Sequence, residues 1–142
     1  MKILLYVLGG LVVLIVVFVA GVTGLVVYTE HAASSPLTRE IDDRLDQQWG
    51  QLIPIAPGPL PLQATKVEIL DILAANQFER DCGTDWGSLG HPYQAQLDAG
   101  DEMYVRHEKH VICNYSFYVL VHFDDKDWLT SAVGTARMRG CF

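Results

Sequence analysis

The sequence predicts an α+β protein: an N-terminal transmembrane helix, then two helices packed on a three-stranded antiparallel sheet. Three observations lead to this prediction. An uncharged apolar run extends from Ile3 to Tyr28, helical periodicity marks two stretches between residues 35 and 78, and strict alternation begins after residue 102. We therefore divide the chain into a transmembrane signal anchor (1–28), a spacer with an amphipathic helix and a proline-rich connector (29–62), and an α+β extracytoplasmic domain (63–142).

The apolar run is long enough to cross a bilayer, whose hydrocarbon core is about 30 Å thick, because a helix rises about 1.5 Å per residue. A cleaved signal peptide is the alternative, but its apolar region would be much shorter, and Val19-Ala20-Gly21 lies inside the run. No cysteine follows the run closely enough to accept a lipid. Lys2 precedes it and Glu30 follows it, so the positive-inside rule predicts a bacterial inner-membrane protein with a cytoplasmic N-terminus and a periplasmic domain.

Within the anchor, Ala20, Gly21 and Gly24 form a patch of small residues, with Ala20 and Gly24 one helical turn apart. Small side chains let another helix approach closely. We expect this patch to contact a partner helix in the membrane.

Charge is divided as unevenly as hydrophobicity. The chain has 10 Lys and Arg and 17 Asp and Glu, and only Lys2 precedes Thr29, so the outer part carries 9 minus 17, or −8. Nucleic-acid binding requires a basic face, so nucleic acid is excluded as a partner. Anionic headgroups repel such a domain, so the lipid bilayer is contacted through the anchor.

Residues 31–35 are predicted to be a short flexible spacer. The first helix after it is predicted to begin at Ser35-Pro36, with Ser as N-cap and Pro at the first helical position. Its apolar stripe extends to Gly50 and consists of Leu37, Ile41, Leu45 and Trp49. Residues 53–62 contain four prolines and are predicted to be a stiff extended connector, with a proline-rich docking ligand as the alternative.

Thr65 and Glu68 form a capping box that opens the second helix. Its expected buried residues are Val67, Leu70, Leu73, Ala74 and Phe78.

The three predicted strands follow the second helix. A strand from Met103 to His107 turns near Glu108-Lys109, and a long strand carries alternating apolar residues from Tyr115 to Phe123. Residues 124–127 form a hairpin turn, after which the third strand returns from Trp128 to Met138.

Cys82, Cys113 and Cys141 are the disulfide candidates, and we expect one bridge and one free thiol. Pairing the strands about residues 125–126 places Cys113 opposite position 138, with Cys141 a few residues beyond. Cys82 follows a helix that should cover this sheet, so it could reach either of the other two cysteines. We therefore favour a bridge involving Cys82, with its partner left open. The absence of a Cys-x-x-Cys motif argues against a thioredoxin-like role.

Chemistry-bearing residues are few. His107, Glu108, His110 and Cys113 resemble metal ligands, but they straddle the predicted turn and are expected to be solvated turn residues. The aspartates of residues 124–127 lack the ligand spacing of a calcium loop. With no nucleophile motif or phosphate loop, we predict no enzymatic activity, no metal site and no cofactor.

The segment from Leu60 to Leu70, with Phe78 and the strand from Tyr118 to Asp125, resembles small bacterial envelope domains of the SmpA/OmlA type. Residues 60–142 are similar to that family, which is related to β-lactamase-inhibitor-protein domains. The resemblance implies two helices on a three-stranded antiparallel sheet and a non-enzymatic module that binds other proteins. The best-known members are outer-membrane lipoproteins, whereas this chain has no lipidation cysteine and keeps a spanning helix.

These features together predict an accessory or assembly subunit of an inner-membrane complex, with respiratory and photosynthetic electron-transfer complexes as candidate hosts. Trp86, Tyr93 and Trp128 are the expected partner contacts of the outer domain, since aromatic residues serve as interface anchors. The alternative is a free-standing envelope binding or sensor protein that recognises its ligand through residues 83–100.

Overall fold

The computed structural model describes residues 2–46, 49–81, 100–110 and 113–141. The chain forms two compact units, one up to Ala33 and one from Ser34 onward. The elements are, in chain order, α1 (Lys2–Ala33), α2 (Pro36–Leu45), β1 (Ile53–Pro54), α3 (Lys66–Ala75), β2 (Glu79–Arg80), β3 (Glu102–Lys109), β4 (Cys113–Phe123) and β5 (Leu129–Cys141).

Helix α1 makes up the first unit. Its segment Gly10–Tyr28 is long and apolar enough to span a membrane, and none of that segment is buried within the protein. The helix continues through residues 31–33, where we expected a flexible spacer. That expectation was wrong, because Ala32 and Ala33 are strong helix formers that extend the apolar helix.

The second unit is built on an antiparallel sheet, as predicted, but the sheet has five strands rather than three. Their order is β1-β5-β4-β3-β2. The central strands β3, β4 and β5 are the three that the alternation predicts, and β1 and β2 add two residues to each edge. Strands this short carry no alternating pattern, so they could not be predicted from periodicity.

Helix α2 begins as the sequence predicts. The side chain of Ser35 caps it by accepting a hydrogen bond of 3.1 Å from the backbone N–H of Thr38. The helix ends at Leu45 instead of near Gly50, because Asp46 adopts the left-handed conformation with φ 41°. Trp49 is therefore not on the helical stripe.

Helix α3 has the predicted capping box between Thr65 and Glu68. Its buried face agrees with the prediction in part: Leu73 and the following Phe78 are buried as expected, and Ile69 is buried too, whereas Val67 is 68% exposed. The helix lies against the same face of the sheet as α2, and one core cluster joins both helices to β3, β4 and β5.

The proline-rich segment contributes to this core. Ile55 and Leu60 are fully buried, and the backbone N–H of Ile55 donates to the carbonyl of Ala132 in β5. Residues 53–62, which we expected to connect the anchor to a domain starting at residue 63, are thus packed into that domain. Pro54 lies on an edge strand, the place in a sheet where a missing N–H is tolerated.

Gly134 lies where helix α2 and the proline-rich segment approach β5 most closely. A Cβ added at this position would lie 3.1 Å from side-chain carbons of both Ile41 and Ile55, which are fully buried. We expect Gly134→Val to destabilise the domain by about 1–3 kcal/mol through overpacking. Thermal unfolding followed by far-UV circular dichroism measures this. Gly140→Val, where the same Cβ meets no atom within 4 Å, is the matched control and should unfold at the wild-type temperature.

The register between β4 and β5 determines the disulfide. Phe123 pairs with Leu129, which centres the turn on residue 126 and moves the expected partner of Cys113 from residue 138 to 139. Two bulges in β5 each add one further residue, one at Thr130 and one at Arg139. Together these shifts bring Cys141 directly opposite Cys113.

Cys113 and Cys141 form a disulfide bond. The expectation of a bridge involving Cys82 was therefore wrong, and its cause was a register drawn one residue off at the turn and without the two bulges. Cys82 itself lies outside the described residues.

Candidate interaction surface

Trp128, one of the three predicted partner contacts, lies on the surface where β5 begins. Its side chain is 41% exposed, and the neighbouring Leu62 is 42% exposed. Two clefts of about 580 and 680 Å³ meet here, and both are lined by Leu62, Gln63 and Trp128. We call this area, with the other lining residues, the Trp128 surface; those others are Pro61, Ala64, Thr65, Glu68, Asp71, Ile72, Asp124, Lys126, Leu129 and Thr130.

The β4–β5 turn holds Trp128 in place from one side. As predicted, residues 124–127 form this turn, with Asp127 at φ 61°. The carboxylate of Asp124 accepts hydrogen bonds of 2.9 Å from the backbone N–H groups of both Lys126 and Trp128. The Asp124 carboxylate is thus occupied with backbone amides of its own turn.

The segment before α3 holds Trp128 from the other side. The N–H of Leu129 donates to the carbonyl of Ala64 at 2.9 Å, and the N–H of Gln63 donates to the carbonyl of Leu129 at 3.1 Å. Thr65 forms an antiparallel bridge with Trp128 itself. Hydrogen bonds on both sides therefore fix the backbone at Trp128, from which the exposed indole projects.

The Trp128 surface is acidic. Its lining contains the carboxylates of Glu68, Asp71 and Asp124 but a single cationic side chain among the described residues, Lys126. Hydrogen bonds from the backbone N–H groups of Trp128 and Lys126 hold the pKa of Asp124 below its ordinary value of 3.8. The backbone and side chain of Thr65 lower the pKa of Glu68 in the same way.

The lowered pKa of Asp124 predicts a pH dependence. Because the pKa is lower in the folded state, the carboxylate contributes stability that is fully present above its unfolded value of 3.8 and is lost as the pH falls through the folded value. We expect Asp124→Asn to lower the unfolding temperature at pH 7 and to converge on the wild type in acid. Asp125→Asn, at the same turn, should leave the difference from wild type near zero at both pH values. A difference for Asp124→Asn that persisted in acid would contradict the prediction.

A second polar feature lies beneath the start of α2. Glu108 is 3% exposed, so its predicted place in a solvated turn was wrong: β3 continues through Lys109 and carries Glu108 into the interior. Its carboxylate forms an ion pair with Arg106, at 2.8 Å from Nε to Oε1, and shares a hydrogen bond with the ring of His110, at 3.1 Å from Nε2 to Oε2.

The same carboxylate binds the first residues of the second unit. The hydroxyl of Thr38 donates to Oε1 at 2.7 Å, and the hydroxyl of Ser34 donates to Oε2 at 3.1 Å. Arg106 in turn donates to the carbonyl of Asn76 at the end of α3. Glu108 therefore joins the beginning of α2 to the central sheet, and Arg106 joins the sheet to α3.

The four residues with metal-ligand character do not converge. His107 shares a hydrogen bond of 2.8 Å with Ser116, Glu108 pairs with Arg106 and His110, and Cys113 is in the disulfide. In the described part of the chain, no three His, Cys, Asp or Glu side chains are grouped to hold a metal ion.

In α1, the predicted contact residues Ala20, Gly21 and Gly24 are exposed, and a Cβ at either glycine would meet no atom within 4 Å. Trp86 and Tyr93, the other predicted partner contacts, lie outside the described residues. Leu62 was missed because it stands among prolines in a segment interpreted as a connector. Leu62 belongs to no repeating pattern of apolar residues, so periodicity could not identify it.

Comparison of the chain with family models, characterised proteins and solved structures found no match. The resemblance to SmpA/OmlA domains therefore stays a prediction. What the fold establishes is the class: an α+β domain with an antiparallel sheet, preceded by one apolar helix able to span a membrane.

Proposed function

We propose that this protein is a non-enzymatic, single-pass accessory or assembly subunit of an inner-membrane protein complex. The observation that carries the proposal is the Trp128 surface, where two apolar side chains, those of Leu62 and Trp128, are exposed beside each other on a domain that follows a helix able to span a membrane. Exposed tryptophans make good interface anchors because a partner that covers them buries a large apolar area.

Two further features support an extracytoplasmic domain. Lys2 precedes the apolar run, which favours a cytoplasmic N-terminus. The Cys113–Cys141 disulfide suits an oxidising compartment such as the bacterial periplasm. The host complexes we favour are respiratory or photosynthetic electron-transfer assemblies.

The membrane helix supplies the second contact in this proposal. Ala20, Gly21 and Gly24 leave open space on one side of α1, where a partner helix can approach to backbone distance. A large side chain there would hold the partner away, whereas the same side chain on the opposite side of the helix would face lipid.

Extraction in a mild detergent followed by native size analysis tests this function. We expect the wild-type chain to migrate within a complex much larger than its own 15.8 kDa. Gly24→Leu should release it, and Val22→Leu, about 160° away around the helix, should not. Migration of the wild-type chain alone with its detergent would overturn the subunit function and favour a free-standing envelope binding protein.

A further inference from the structure

The character of the Trp128 surface allows its partner to be described more closely. We propose that this surface binds a segment of a partner protein in which an apolar side chain is flanked by Lys or Arg residues. This inference rests on the proposed subunit function and specifies the chemistry of the partner at that contact.

The apolar part of the surface is continuous across both clefts. Leu62 and Trp128 line each of them, and Pro61 and Ile72 extend one cleft on the side of α3. One bound segment can therefore follow both clefts while its apolar side chain covers the indole of Trp128. Burial of Trp at the centre of an interface is among the largest contributions to binding.

The charged part of the surface favours a positively charged partner segment. Glu68 and Asp71 line the cleft beside α3, and Asp124 lines the cleft beside the turn, where Lys126 is the cation among the lining residues. The nearby Lys66 is paired with Glu102 and is directed over the ring of Phe123, so it does not offset these carboxylates. Asp125 and Asp127 are exposed on the same turn and add to the negative charge.

Other occupants are disfavoured by the same charge. A second copy of this chain carries a net charge of −7, and anionic lipid headgroups carry the same sign. The lowered pKa values of Glu68 and Asp124 keep both groups ionised in mildly acidic solution, so the surface stays negative there. Lys and Arg beside an apolar residue complement both halves of the surface.

Site-specific photocrosslinking in native membranes tests the inference. Benzoylphenylalanine replaces Leu62 in the full-length chain, the membranes are irradiated, and the peptide joined to residue 62 is sequenced by mass spectrometry. We expect a peptide from another membrane protein that carries Lys or Arg within about one helical turn of an apolar attachment residue. The probe at Trp49 is the matched control. Trp49 is 38% exposed, but it stacks on Tyr115 at 5.3 Å, about 26 Å along β4 from the Trp128 end, and should not yield this peptide.

Three variants then separate the apolar and charged contributions. Trp128→Ala should lower the adduct yield at residue 62 by about tenfold. Asp71→Asn should lower it by about threefold at low salt and by less at 1 M salt, where charges are screened. Asp43→Asn, on α2 and outside both clefts, should leave the yield unchanged. An unchanged unfolding temperature in each variant shows that the domain is intact.

Several results would overturn the proposal. These are an attached peptide that is acidic or uncharged, a second copy of this chain, a lipid adduct, or no adduct at residue 62 while the chain still migrates in its complex. In the last case the subunit function survives and this contact does not. Loss of the large complex itself is the distinct result that would overturn the subunit function.

Discussion

Replacement of Glu108 by Gln is expected to destabilise the outer domain by about 3–5 kcal/mol, the cost of removing one partner of a buried ion pair. The carboxylate is almost fully buried and pairs with Arg106, whose side chain is 11% exposed. A neutral amide would take away the negative charge that lies 2.8 Å from the guanidinium. It would also weaken the hydrogen bond from Thr38, which attaches the start of α2 to the sheet.

Thermal unfolding of the full-length protein in mild detergent, followed by tryptophan fluorescence, measures this effect. A loss of 3 kcal/mol lowers the unfolding temperature of a domain of this size by on the order of 12 °C or more. Glu40→Gln is the matched control, because Glu40 pairs with Arg44 at 2.7 Å while both side chains are substantially exposed. That change should cost less than about 1 kcal/mol. Equal effects of the two substitutions would contradict the prediction.

Loss of the disulfide is expected to have a comparable effect. The bond joins residues 28 positions apart, so its removal frees a loop whose closure is worth about 3–4 kcal/mol in the chain-entropy description. Cys141→Ser should therefore lower the free energy of unfolding, measured by denaturant titration, by about that amount. It should also abolish the mobility difference between reduced and non-reduced samples.

Cys82→Ser distinguishes this pairing from the alternatives. Because Cys113 is bonded to Cys141, the variant should retain both the mobility difference and the wild-type midpoint. A Cys82→Ser protein without the mobility difference would mean that Cys82 takes part in the bridge and would refute the pairing.

The elements that the sequence predicted well are those with a strong local signal. The apolar N-terminal helix, the Ser35 N-cap, the Thr65 capping box and the turn at residues 124–127 each depend on residues close together in the chain. Local hydrogen bonding and hydrophobicity are enough to define such features.

The features that escaped prediction depend on residues far apart in the chain. The two-residue edge strands form because β5 and β3 are available to pair with them. The cysteine pairing required two bulges whose positions leave no sign in the sequence. Glu108 was interpreted as a turn residue because its partners Ser34 and Thr38 lie 74 and 70 positions away in the chain.

At the candidate site, Trp128 could be named from its type and its place after the turn. Leu62, Glu68 and Asp71 could not, because only the packing of the proline-rich segment and α3 brings them beside it.

The short strand β1 has a consequence for how the domain meets other proteins. The edge of β5 from Ala132 to Ala136 is paired with the segment from Gly50 to Ile55. The N–H of Gly50 donates to Ala136, the N–H of Ile55 donates to Ala132, and Ile53 lies opposite Gly134. Pro54 faces away from β5. An open strand of this kind would recruit strands from other chains and start edge-to-edge aggregation. Because the backbone groups of this stretch of β5 are already paired, a neighbouring protein cannot form backbone hydrogen bonds with them. Recognition at this edge therefore depends on side chains.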